Sequence, residues 1–199
     1  TTSSESIAFG SYALGAVTSG IYNIGLGKQA GGALTTSDYG IFIGYEAGRK
    51  VTTGDNNIGI GKDACSGNAT SNLTGDYNIA IGQIALSKIH TTAQSNVAIG
   101  AQAGRDLTTG SLNVFIGKDA SFTATTCNYA VAIGENANVQ NGTGNIAIGW
   151  NASCESGSSY QITLGNTSMT KFRIPGIDFV LKDNGGTPSS GQVLTADSN

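Results

Sequence analysis

A short phrase of alternating apolar and small residues, closed by a glycine, recurs along the whole chain. The closing glycines are Gly10, Gly27, Gly44, Gly61, Gly82, Gly100, Gly117, Gly134, Gly149 and Gly165. Successive glycines are 15 to 21 residues apart, and 17 is the commonest spacing. A period of this length without a heptad pattern indicates a solenoid in which each repeat forms one turn.

Two positions of every repeat, one and three residues before the glycine, carry large apolar side chains that are mostly β-branched. Residues two apart share one face of a strand, and β-branching favours the extended backbone. An alanine follows three residues after most of the glycines. Three successive repeats show the pattern in full: Ile58, Ile60, Gly61 and Ala64; Ile79, Ile81, Gly82 and Ala85; Val97, Ile99, Gly100 and Ala103. We expect the branched side chains to form the core of the roll.

The residue between the two branched positions is usually alanine or glycine, so the other strand face is small. We expect another chain to pack on this small face, because a core of branched residues alone is thin for so long a rod. Val17, Leu34, Val51, Leu107 and Val139 each lie ten residues before the next repeat's glycine, and we expect them to point inward. Each repeat is then two short strands and two turns.

These observations predict an all-β fold, a parallel β-roll or β-solenoid of about ten 17-residue turns over residues 1–168. Parallel neighbours about 4.8 Å apart would make a rod on the order of 45 Å long. Residues 169–199 break the pattern at Pro175 and Gly176, and we expect a C-terminal β-hairpin or connector there. Thr1 is not an initiator methionine, so we expect a processed product or a fragment.

The phrases NIAIGQIA at 78–85, NVAIGAQA at 96–103 and AVAIGENA at 130–137 resemble the VAIG-x-x-A repeats of trimeric autotransporter adhesin heads. The same phrase is found in bacteriophage tail fibres, and the resemblance covers residues 6 to about 168. It implies a left-handed parallel β-roll assembled as an intertwined or side-by-side homotrimer. Adhesin heads repeat near fourteen residues, whereas seventeen dominates in this chain, so its turns are expected to be longer.

The C-terminal residues favour a phage tail fibre over a bacterial adhesin. The LGN turn at 164–166 and the RIPG segment at 173–176 resemble the connecting region of phage tail fibres. The resemblance implies a structural, host-attachment role in a virion tail fibre, outside the cell. Its expected partners are further copies of the chain, other fibre or baseplate proteins, and a host-surface glycan or protein receptor.

Other functions fit the pattern less closely. The head of a bacterial trimeric cell-surface adhesin would have nearly the same repeat pattern and β-roll. It therefore stays open as an alternative function. Thr-Thr doublets such as those at 35–36, 52–53 and 108–109 suggest an ice-binding face, but they occur in only some repeats. A polysaccharide depolymerase needs two facing carboxylates, and a hexapeptide-repeat acyltransferase needs period six and a catalytic histidine. We therefore predict no enzymatic activity, no catalytic residues and no cofactor.

Charge and composition limit the classes of partner that we expect for the chain. The formal net charge is −3, and the ten Lys and Arg residues form no basic stripe, so nucleic acid is not an expected partner. No run of eighteen apolar residues occurs, so membrane insertion is not expected. Cys65, Cys127 and Cys154 show no CxxC spacing, which argues against a zinc site and favours small buried thiols.

Two recurring polar features resemble sites. The GKDA phrase places Lys62 beside Asp63, but other repeats put unrelated residue types at the same positions, so a solvent-facing turn is the better interpretation. No calcium-solenoid motif or carboxylate cluster predicts a metal site. An asparagine precedes the first branched residue in six repeats, and we expect these side chains to hydrogen-bond from turn to turn as a ladder. The six are Asn23, Asn57, Asn78, Asn96, Asn113 and Asn145.

Aromatic side chains supply the receptor-binding candidates. A tyrosine lies five residues before the glycine in five repeats: Tyr22, Tyr39, Tyr77, Tyr129 and Tyr160. These rings could stack on sugars, on one another, or at a subunit seam. Tyr45 and Trp150 directly follow their glycines and are the better candidates for exposed contacts. The longest insertion, at 65–76, is a further candidate, whereas the single histidine, His90, is expected to be a surface loop residue.

Overall fold

A computed structural model of the chain describes residues 5–67 and 72–171. Ten three-residue strands form one parallel sheet in chain order. They are β1 (Ile7–Phe9), β2 (Ile24–Leu26), β3 (Ile41–Ile43), β4 (Ile58–Ile60), β5 (Ile79–Ile81), β6 (Val97–Ile99), β7 (Val114–Ile116), β8 (Val131–Ile133), β9 (Ile146–Ile148) and β10 (Ile162–Leu164). The predicted all-β parallel solenoid with a spacing of about 17 residues is confirmed. Among the described residues there is no helix with the length and apolar character needed to cross a membrane.

The strands stack in register, so each position of the repeat forms a straight column along the rod. Ile58 pairs with Ile79, and Ile79 pairs with Val97 on the next turn. The glycine that follows each strand turns the corner. Gly61 has a φ of 125°, and a Cβ on it would lie 2.8 Å from the carbonyl carbon and oxygen of Gly82. The recurrence of glycine therefore follows from both the backbone angle and the contact between successive turns.

The interior is the opposite of the one expected. In β2–β9 the middle residue of the strand points inward and is buried, as in Phe42, Ala80 and Ala98. The two branched residues on either side of it point outward, and Ile99 and Ile116 keep 39% and 37% of their surface exposed. The expectations that the branched residues form the core and that another chain packs on the small face are therefore wrong.

The small volume inside a turn explains why the small face of each strand points inward. The interior of most turns already holds the middle strand residue, the alanine after the corner and one Val, Leu or Ile. Ala64, Val51 and Leu107 are all fully buried, and the inward direction predicted for the column of Val51 and Leu107 is confirmed. A roll this narrow has no room for two more branched side chains per turn. The small residues therefore face inward, and the large ones are left outside.

The second strand expected in each repeat is reduced to isolated bridges. Among the described residues, single bridges join Val51 to Leu73 and Leu73 to Thr91. Side chains take over part of the ladder in this region. Asp38 Oδ1 accepts a hydrogen bond from the backbone N–H of Ile21 at 2.8 Å, and Asp55 Oδ1 accepts one from Asp38. These carboxylates thus add to the backbone hydrogen bonds between turns, such as the one that Tyr39 N–H donates to the Ile21 carbonyl.

Large side chains are distributed among neighbouring turns. Phe42 fills the interior of its own turn, and a Cβ on Gly48 would overlap its ring. The next turn toward the N-terminus has glycine at both corresponding positions, Gly25 and Gly31. A Cβ on Gly31 would lie 2.8 Å from Leu14 and 3.1 Å from Phe42. Bulk in one turn is therefore accommodated by its absence in the adjoining turn.

Contacts divide the chain into Thr1–Ser168 and Met169–Asn199. The predicted β-hairpin with Pro175 and Gly176 lies outside the described residues, so the domain boundary and the connector stay predictions.

Candidate functional site

The seven aromatic residues singled out from the sequence are all exposed side chains of the roll. They are Tyr22, Tyr39, Tyr45, Tyr77, Tyr129, Trp150 and Tyr160. They fall in two columns, five residues before the glycine and one residue after it. The structure therefore places them at the surface as an attachment role requires, but spreads them along the whole rod.

Backbone geometry turns the first tyrosine column outward. Tyr39 and Tyr77 have φ values of 59° and 60°, in the left-handed region. Asn56, Ser95 and Leu112 occupy the same position in other turns with φ between 56° and 61°. This conformation disfavours large side chains, at a cost of about 1–2 kcal/mol per residue. The left-handed conformation is therefore a property of this turn position and not of tyrosine.

Among the described residues, one pair of tyrosines on neighbouring turns is in contact. The Tyr22 and Tyr39 rings are stacked, with centroids 5.1 Å apart and planes 14° apart. Glu5 accepts a hydrogen bond from the Tyr22 side chain, which raises the pKa of that tyrosine. Asn56 occupies the column on the turn between Tyr39 and Tyr77, so the stack does not continue.

Tyr45 lies between two lysines of the same column. The ammonium groups of Lys28 and Lys62 are 5.7 and 5.9 Å from the centre of its ring. Both distances are within the range of a cation–π contact. The hydrogen bond with Glu46 is the largest cause of the raised pKa of Tyr45. Two cations thus flank an exposed ring, and the carboxylates of Glu46 and Asp63 lie beside them.

Trp150 is in the same column as Tyr45 but six turns further along the rod. It is 60% exposed and borders a groove of about 520 Å³ that Leu164 and Asn166 also line. Asn166 Nδ2 donates a hydrogen bond to the Trp150 carbonyl at 3.0 Å. At about 4.8 Å per turn, Tyr45 and Trp150 are almost 30 Å apart, so one chain does not join them into one site.

The site-like GKDA phrase is a surface turn. Lys62 Nζ lies 3.9 Å from Asp63, and Lys118 Nζ lies 3.4 Å from Asp119, with both lysines more than half exposed. Within residues 5–67 and 72–171, no group of three His, Cys, Asp or Glu residues could hold a metal ion. Pairs of exposed ions like these contribute little to stability.

The remaining candidates from the sequence are the asparagine column, the insertion after Cys65 and His90. The asparagine column is buried and hydrogen-bonded from turn to turn, as predicted. The insertion after Cys65 includes residues 68–71, which are outside the described residues. His90 is partly buried on its turn.

Two surfaces were missed by the sequence analysis. The first is the outer stripe, which we define as the outward branched residues one and three positions before each glycine. The second is a groove on the first three turns, lined by Tyr12, Gln29, Arg49 and Lys50. The stripe was visible in the sequence but assigned to the interior. The groove could have been found by aligning Gly15 and Gly32 with Arg49, because they share one column.

Searches of protein-family models, curated proteins and solved structures find no match to the chain. The geometry and the sequence therefore carry the functional argument.

Proposed function

We propose that the chain is a non-enzymatic, structural and host-attachment segment of a trimeric phage tail fibre. The observation that carries this proposal is the outer stripe. Ten turns each contribute two branched or aromatic apolar residues to one straight outward surface. Monomeric proteins rarely expose a continuous apolar surface of this length, so the stripe is best explained as a subunit interface.

The sheet geometry suits assembly about a common axis. Each strand is three residues long, so a roll presents a narrow apolar ridge rather than a broad plane. Several such ridges can meet along one axis and cover one another over the full rod. The proposed number of subunits, three, comes from the resemblance to adhesin heads and tail fibres. The result would be a stiff shaft, which is what a fibre needs to hold a receptor-binding surface away from a virion.

The attachment surface is proposed to include the exposed aromatic residues. Tyr45 with Lys28 and Lys62 is the most developed of them, because it combines a ring face with two cations. Aromatic faces pack on sugar rings, and cations select acidic groups on a host glycan or protein receptor. Trp150 offers a second aromatic contact near the other end of the rod.

The first experiment measures the mass of the native particle by size-exclusion chromatography with light scattering. Three times the chain mass of 20.1 kDa is expected, and a monomer at micromolar concentration would contradict the assembly proposal. Binding of the labelled particle to a panel of bacterial cells then tests attachment. Tyr45→Ala is expected to weaken that binding, with the exposed Gln83→Ala variant as the matched control.

The adhesin alternative shares the outer stripe and predicts the same mass. The complete gene separates the two: a region that binds a baseplate before residue 1 supports the fibre, and a membrane-barrel anchor after residue 199 supports the adhesin. Release of reducing ends from a host polysaccharide would contradict the non-enzymatic proposal.

A further inference from the structure

A shallow groove of about 370 Å³ crosses the first three turns of the roll. Its floor consists of Gly15–Ala16 and Gly32–Ala33, which occupy the same two columns on successive turns. On the third turn these columns carry Arg49 and Lys50, which form a basic wall. Tyr12, whose side chain is 74% exposed, lies on the first turn. The groove volume is within the range of small-molecule sites.

The guanidinium of Arg49 is incompletely bonded within the described residues. Its Nε is buried and 2.9 Å from Glu46 Oε2, but without the alignment of a hydrogen bond. No described residue accepts a hydrogen bond from its two terminal nitrogens, and Lys50 forms no ion pair with a described residue. Two cations thus border a groove whose floor is formed by glycine and alanine, and the Glu46 carboxylate offsets part of the charge of Arg49.

Arg105, in the same column, is more fully bonded within the chain. Its Nε and Nη2 donate to the two carboxylate oxygens of Asp106 at 2.8 and 2.9 Å, and its Nη1 donates to Gln102 at 3.1 Å. The corresponding residue after Arg49 is Lys50, a second cation. All three side-chain nitrogens of Arg105 therefore donate within the chain, whereas Arg49 is paired through Nε with Glu46 and has its two terminal nitrogens available for an external anion.

We propose that this groove binds a carboxylated saccharide, with a hexuronic acid as the simplest case. The inference rests on the proposed attachment function and names the chemistry of its ligand. The terminal nitrogens of Arg49 match the two oxygens of a carboxylate, and Lys50 adds a second positive charge. Tyr12 offers a ring face for the sugar, and the Gln29 amide can bond a hydroxyl. The Gly and Ala floor lets the sugar ring approach the backbone closely.

The test is titration of the native particle with digalacturonic acid, followed by calorimetry or NMR. Its dimethyl ester is the matched neutral probe and is expected to bind at least about tenfold more weakly, because it loses the charge-assisted hydrogen bonds. Arg49→Gln and Arg49→Lys are expected to weaken binding of the acid by a similar factor, and Tyr12→Ala to weaken both probes. Arg105→Gln is the matched control and should leave binding unchanged. Each variant is first checked for native mass and circular dichroism.

Equal binding of the acid and the ester would overturn the proposal, as would equal losses in the Arg49 and Arg105 variants. Tighter binding of a sulfated disaccharide than of the carboxylated one would overturn the assignment of the anion. Tighter binding of an acidic peptide would overturn the saccharide. Failure of this inference is distinguishable from failure of the proposed function: a particle that attaches to cells but ignores digalacturonic acid contradicts only the groove. A particle that binds the acid but attaches to no cells supports the groove proposal and contradicts the proposed attachment role.

Discussion

Asn78 donates two hydrogen bonds to a single atom of Asn57. Its backbone N–H and its side-chain Nδ2 lie 2.9 and 3.0 Å from Asn57 Oδ1. Asn96 repeats the arrangement on Asn78, and Asn113 repeats it on Asn96. All four side chains are fully buried. The amide column thus joins four turns through the interior, where a missing partner is costly.

Asn78→Ala should lower the free energy of unfolding by about 2–4 kcal/mol, because it leaves buried groups of two other residues without partners. The backbone N–H of Asn96 would lose its acceptor, and the Ala93 carbonyl would lose the Nδ2 donor now 2.9 Å away. Urea unfolding at fixed protein concentration measures the effect. Gln83→Ala, an exposed change, should stay within about 0.5 kcal/mol. Equal stability of the two variants would show that the ladder contributes nothing.

The interior should accept an exchange of bulk between two positions of one turn. Phe42 and Gly48 share a turn, whereas Ala80 and Leu86 carry the reverse combination at the same positions two turns later. Phe42→Ala alone should cost about 3–5 kcal/mol through the cavity it leaves. Gly48→Leu alone should also destabilise, because its side chain would overlap the Phe42 ring.

The double variant Phe42→Ala with Gly48→Leu should be more stable than either single variant. Leu86 has a φ of 46°, which shows that this position accepts leucine in the left-handed conformation. A double-mutant cycle from thermal or urea unfolding measures the coupling. Additive losses would contradict the argument that the two side chains share one volume.

Two of the thiols should be unreactive in the native protein. Burial raises the pKa of Cys65 and of Cys127 to about 12, so almost no thiolate is present at pH 8. Neither should react with a disulfide reagent such as DTNB until the chain unfolds, and both should react at once in denaturant. Mass spectrometry of the labelled peptides identifies each residue. Fast labelling of Cys65 in the native state would contradict its burial.

Asp106 should make stability depend on pH in the acid range. Its hydrogen bond from Arg105 is the largest cause that lowers its pKa from 3.8 to about 2, and Lys88 adds to this. The folded-state pKa is below the unfolded value, so the stabilisation is present above about pH 4 and is lost as the pH falls toward 2. Asp106→Asn should therefore be less stable than the parent chain at pH 7, and the difference should disappear near pH 2. A difference that is constant over this range would contradict the ion-pair argument.

The strands could be predicted from the sequence because their signal is local. The branched residues such as Ile58 and Ile60 mark the two ends of each strand, and the structure begins and ends its strands there. Alternation with a period of two separates two faces but does not say which one is inside. That choice depends on the volume of the closed turn, which no single repeat reveals. The same limit explains why the pattern alone predicts Ile99 in the core.

The candidate surfaces were predictable to different degrees. Exposure of Tyr45 and Trp150 followed from their polar column, and the structure places both at the surface. The groove depends on residues two turns apart, Gly15 and Arg49, whose relation appears only when the columns are laid side by side. The incomplete bonding of Arg49 depends on side-chain geometry, because Arg105 stands in the same column and donates a hydrogen bond from each of its three nitrogens.

The outer stripe should respond to charge as a subunit interface does. Ile99 and Ile116 are paired across neighbouring strands on this surface, and a glutamate at either position would bring like charges together around the proposed axis. Burying those charges without partners costs several kcal/mol per subunit, so Ile99→Glu with Ile116→Glu should abolish assembly. Light scattering of the variant should give the mass of one chain or show that no folded particle forms. Gln83→Glu adds a charge in an exposed column and should keep the parent mass. A charged stripe that leaves the native mass unchanged would place the subunit contact elsewhere on the roll.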